Sequence, residues 1–153
     1  GLKGDETYSE IYATVCHELA HASHYTKVGN QFWTQYLKYQ LVSFAKRNGI
    51  DYGSGIGTGA GHCAVSEMWA YFLQNQLYYS RYGGSIPNSG MSHWFHPQIF
   101  TYLNDRGMTV SQLFQALQRD VCDMENLHNS LLTLYPSQSA MINQVFMRYV
   151  EED

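Results

Sequence analysis

Basic residues are scarce in this chain: only 9 of its 153 residues are Lys or Arg, against 13 Asp and Glu, and the net charge is −4. No run of them supplies the positive footprint that nucleic acid or an anionic membrane demands, and neither partner is expected. Cysteine is scarcer still. Cys16, Cys63 and Cys122 are too few and too far apart for a disulfide framework. Long apolar runs are missing as well. Nothing approaches the roughly 18 residues of a transmembrane segment, and the opening GLKGDETYSE lacks the charged start and apolar centre of a signal peptide.

Charged residues make up 14 % of the chain, well under the roughly 25 % of an average soluble domain, while 44 % is hydrophobic. The surface must therefore be covered largely by Gln, Asn, Ser, Thr and Tyr. The 13 tyrosines suit wet clefts, where a ring packs and its hydroxyl finds a partner. The length is that of one domain spanning 1–153.

Helix signals dominate. Asp5 is a good N-cap and Gly29 a good stop for a first helix. A second runs from about Gln31 to Arg47, where Trp33, Tyr36, Leu37, Gln40, Leu41 and Phe44 form one stripe at helical spacing, and Asn48-Gly49 ends it. The alternating glycines of GSGIGTGAG weaken helix and strand alike and predict a connecting loop or the wall of a cleft. This stretch is neither a dinucleotide fingerprint nor a phosphate loop, because the βαβ setting and the Gly-Lys-Ser/Thr ending are missing. A third long helix is expected from about His62 to Tyr82. Pro97 opens a short helix ending near Gly107, and three more cover about Ser111–Asp120, Met124–Tyr135 and Gln138–Tyr149. The expected fold is a mainly α domain of six to seven helices with little or no β-sheet.

The chemistry lies in VCHELAHASHY, residues 15–25. His17 and His21 are four apart, so on a helix they stack one turn above each other and can converge on one zinc ion. Glu18 projects about 100° further round the helix and flanks the metal, placed to take a proton from zinc-activated water. Catalytic zinc usually has three protein ligands, so one more is needed. His24 shares the side of His17 and His21 but lies a turn beyond His21, which suits support better than ligation. Glu67, centred in the third helix among Val65, Met68, Trp69 and Phe72, is costly to bury without a partner and is the favoured third ligand. Cys63, one turn earlier on the same face, is the rival, while His62 points away from that face. An oxyanion-stabilising group is expected from His96, with His93, Tyr78, Tyr82 and Arg81 as alternatives.

HExxH on one helix with a glutamate on a later one resembles the gluzincin branch of zinc metallopeptidases, whose second helix carries Glu-x-x-Ala-Asp or Glu-x-x-x-Asp. Here it reads Glu67-Met68-Trp69-Ala70-Tyr71, with Tyr71 where the aspartate would stand. The metzincin extension is excluded, since it requires Gly at 24 and His at 27 where this chain has His24 and Lys27. The resemblance implies that His17, His21 and Glu67 are zinc ligands and Glu18 the general base, in a hydrolase acting on peptides or proteins. It also implies an extracytoplasmic setting. Only 16 residues precede His17, which leaves no room for the β-sheet of that family. The chain is thus expected to be either the C-terminal part of a longer protein or a compact helical zincin. A reading from another class also stands: a non-catalytic module that binds a peptide, protein or glycan, its zinc closed by a fourth ligand from His24, His62 or Cys63.

Overall fold

The computed structural model describes residues 7–46, 52–84 and 86–150. They form seven α-helices: α1 Tyr8–Val28, α2 Asn30–Lys46, α3 Ala60–Tyr82, α4 Gln98–Asp105, α5 Val110–Ala116, α6 Met124–Leu134 and α7 Ser139–Val150. A single 3-10 turn, Pro136–Gln138, leads into α7, and no strand occurs among the described residues. None of the described helices is long and apolar enough to cross a membrane.

Local chemistry sets the ends of these helices. Asp5 lies outside the described residues, as do Arg47 and the Asn48-Gly49 stop. The cap of α1 is Thr7, whose hydroxyl accepts from the Glu10 N–H while the Glu10 carboxylate accepts from the Thr7 N–H, a reciprocal box. Gly29, at φ +79°, stops α1. The fifth helix ends well before the expected Asp120. Thr109 and Gln112 cap its start, and its last carbonyls are taken from outside: Lys27 Nζ donates to the Phe114 carbonyl and Ser130 Oγ to that of Ala116, at 2.7 Å.

The buried spine is α3, whose Cys63, Val65, Met68, Ala70 and Phe72 are each fully buried. A helix that is apolar nearly all round belongs in a core. Along one side it meets α1, where Ala13 and Ala20 let the backbones approach; α2, α4 and α6 cover the rest. Trp69 stacks on Phe114 at 5.1 Å and donates its indole N–H to Ser23 Oγ. Gly61 sits where the start of α3 crosses the turn before α6. A Cβ there would lie 2.3 Å from the Cys122 carbonyl oxygen, which explains a glycine inside a helix.

The orientation of α2 corrects the sequence reading. Its buried face is Phe32, Tyr36, Tyr39 and Ser43, whereas Leu37, Leu41 and Phe44 are 51 %, 70 % and 59 % exposed. Hydroxyl chemistry outweighs apolar area here. Tyr36 and Gln40 reach Glu67 and Cys63 on α3, while Tyr39 bonds the Tyr52 carbonyl and the Gly55 N–H, and these partners fix the helix with its leucines outward.

Candidate metal centre

The structure brings His17, His21 and Glu67 together, and all three are buried. The two histidines project from successive turns of α1 toward the centre of α3. Their Nε2 atoms are 3.1 Å apart, Glu67 Oε2 lies 3.2 Å from His17 Nε2, and Glu67 Oε1 lies 3.4 Å from His21 Nε2. Tyr36 donates its hydroxyl to Glu67 Oε1 at 2.6 Å. Burial favours a neutral Glu67, but hydrogen bonds and charge from His17 and His21 outweigh it and hold the carboxyl at about 2.

The other face of each imidazole is also engaged. Gln74 donates from Nε2 to the Asn88 carbonyl at 3.0 Å, so its Oε1 must be the atom that faces His17 Nδ1, at 3.1 Å. That oxygen can only accept, so His17 donates to it from Nδ1 and turns Nε2 toward the cluster. Ser66 Oγ lies 3.0 Å from His21 Nδ1 and 3.4 Å from His24 Nδ1, and holds the His21 ring in place. Neither partner is an anion. Tyr71, at the position of the missing aspartate, instead packs edge-on against His17 with ring centroids 4.6 Å apart.

Two imidazoles and a carboxylate thus converge in a group that could hold a metal ion. One ligand atom from each of the three residues lies within 4.8 Å of the other two, a spacing that a single bound ion could bridge. Glu67 Oε2 is buried and has only His17 Nε2, at 3.2 Å, as a polar neighbour within ion-pair distance among the described residues. The residues fit a divalent metal, with two nitrogens and one oxygen as donors. Gln74→Leu removes the group that orients His17. Its expected effect is a loss of roughly 10- to 100-fold in metal affinity, read by competition with a chromophoric chelator.

The remaining candidates separate from this cluster. His24 is fully buried on α1, its Nδ1 3.4 Å from Ser66 Oγ and its Nε2 without a partner among the described residues. Burial first, then the charges of His21 and Lys27, push its pKa down to about 3. Between that value and about 6.5 the unfolded chain takes up a proton that the folded chain refuses. Stability therefore falls as pH drops below about 6.5, by up to about 1.4 kcal/mol per unit, and levels off near pH 3. His24→Gln is expected to flatten that slope, measured by urea unfolding at pH 7 and pH 5.

Burial and the Glu67 charge raise the Cys63 pKa, so it stays a thiol; it accepts from Gln40 Nε2 and stands outside the metal group. His62 packs on Phe32 at 4.7 Å, away from the cluster. Tyr82 and Arg81 gather round Tyr12 at the start of α1, with the Tyr78 ring tilted against Tyr82 at 5.0 Å. His96 packs on Tyr149 of α7 with its backbone at φ +50°, lining a different cavity. The loop residue nearer the cluster is His93, which contacts the rings of Tyr52 and Tyr71. Glu18 is exposed on α1, one residue from His17.

Sequence reasoning did not single out Ser66, Gln74, Tyr36 or Tyr52. Gln74 is seven residues beyond Glu67, two turns along the same helix face, and Ser66 is its neighbour; that spacing was the only available signal. Tyr52 contributes through its hydroxyl, 3.1 Å from that of Tyr71. No protein-family model, curated protein or solved structure matches the chain.

Proposed function

We propose that the chain is a zinc-dependent hydrolase acting on peptide bonds. The observation that carries this reading is a group of three protein donors with no fourth His, Cys, Asp or Glu joined to it among the described residues. Structural zinc sites close with four protein ligands, whereas catalytic sites keep three and leave a position for water or substrate. His17, His21 and Glu67 would hold the ion. When bound, zinc polarises a carbonyl and lowers the pKa of water toward about 7.

The chain's own residues do the rest. Gln74 and Ser66 orient the two imidazoles. Glu18, on the exposed side of α1, takes the proton from the attacking water and passes it to the leaving amine. The paired hydroxyls of Tyr52 and Tyr71 stand closer to the triad than His96 and are better placed to donate to a developing oxyanion.

One observation favours the second reading, a non-catalytic metal-containing binding module. His17 and His21 are each only 8 % exposed and Glu67 1 %, so the approach to the cluster is narrow. Turnover separates the two. Protein loaded with one equivalent of zinc is incubated with casein and a peptide mixture, and new termini are sought by mass spectrometry. Cleavage that appears with zinc and vanishes with chelator supports the hydrolase. Metal-loaded protein that leaves every peptide intact assigns the binding module instead.

A further inference from the structure

The glycine-rich loop is not spent on the metal cluster. It folds against the outer side of α2 and encloses a cavity of about 510 Å³ with it. Close contact makes this possible. A Cβ on Gly53 would lie 2.5 Å from Ser43 Oγ and one on Gly59 2.4 Å from the Gln35 carbonyl oxygen, and both residues sit at positive φ. Tyr39 fastens the loop by donating to the Tyr52 carbonyl and accepting from the Gly55 N–H at 2.8 Å.

The lining has one sign of charge. Lys38 and Lys46 border the cavity, and no carboxylate does among the described residues. The whole of α2 carries no Asp or Glu, in a chain whose net charge is −4. The two lysines lie eight residues apart, about 12 Å along the helix, and both ammonium groups can swing in over residue 42 midway between them. Hydroxyls of Ser43, Ser54 and Thr58 face the same space, Ser43 being only 8 % exposed. Beside them Val42 and Ile56 present apolar surface, 50 % and 82 % exposed.

We infer that this cavity binds a phosphate ester with an apolar portion, the phosphate between Lys38 and Lys46 and the apolar part on Val42 and Ile56. Two ammonium groups balance the charge of about −1.5 to −2 on a phosphate monoester, and three hydroxyls supply donors to its oxygens. A carboxylate offers fewer acceptor positions and half the charge. The same chemistry is presented by a free phosphorylated metabolite and by a lipid headgroup. The site is independent of the metal triad and of the hydrolase reading.

The test titrates the folded chain calorimetrically with phenyl phosphate and, separately, sediments it with phosphatidylcholine vesicles with and without phosphatidic acid. Saturable binding in the first arm identifies a free phosphate ester, and sedimentation only with phosphatidic acid identifies a headgroup. In either case inorganic phosphate competes, and the double variant K38Q/K46Q weakens binding at least tenfold with its helical circular dichroism unchanged. Glu67→Gln retains the binding, which separates this site from phosphate held by a metal ion. No binding in either arm, equal binding by K38Q/K46Q, or loss in Glu67→Gln alone overturns the inference.

Discussion

Under the proposed hydrolase mechanism, Glu18→Gln is expected to lower peptide turnover by about 10²- to 10⁴-fold while leaving metal content unchanged. That factor corresponds to roughly 3–5 kcal/mol of transition-state stabilisation. The reason is chemical. A carboxamide keeps the size and polarity of the side chain but cannot accept the proton that the attacking water must lose. Glu18 is exposed and lies outside the metal group, so the substitution disturbs neither the packing of α1 on α3 nor the ligand set. Steady-state kinetics on one defined substrate, with metal analysis of the same sample, read both halves of the prediction. Wild-type turnover in the variant would remove Glu18 from the mechanism, and loss of metal would make it a ligand.

Glu67→Gln carries the second large effect. The amide keeps an oxygen to accept from Tyr36 and a similar volume in a site that is 1 % exposed, so the fold is retained. What it loses is the anionic donor. Affinity should fall by more than the roughly 10- to 100-fold typical of an outer partner of a ligand. Stability reports the same event. A free metal concentration of 100 times Kd stabilises the folded state by about 2.7 kcal/mol, which for a domain of this length raises Tm by roughly 5–10 °C. In Glu67→Gln that rise should vanish, and a chelator should no longer lower its Tm. A metal-dependent rise that survives would place the ion on other ligands.

The juxtaposition of His17 and His21 was legible because helix geometry alone brings residues 17 and 21 to one side. Glu67 was legible for a different reason: a carboxylate among Val65, Met68, Trp69 and Phe72 has to be either exposed or partnered. The groups that orient the histidines were not legible. An amide and a hydroxyl carry no motif, and Gln74 and Ser66 acquire their role only from the register of α3 against α1. The stripe read on α2 is divided by the fold, because two stripes run along that helix, one of large apolar residues and one of aromatic hydroxyls. The apolar stripe has more area, but the hydroxyl stripe has buried partners that would otherwise go unsatisfied. His96 was read from a loop, where its left-handed backbone turns the ring toward Tyr149 instead of the cluster.

The central claim is that His17, His21 and Glu67 hold one metal ion. Elemental analysis of the chain, purified without added metal and compared with His21→Ala and Glu67→Gln prepared in the same way, tests it most directly. The account predicts close to one equivalent of a divalent metal in the parent chain and almost none in either variant. A parent chain without metal, or variants that retain it, would contradict the account.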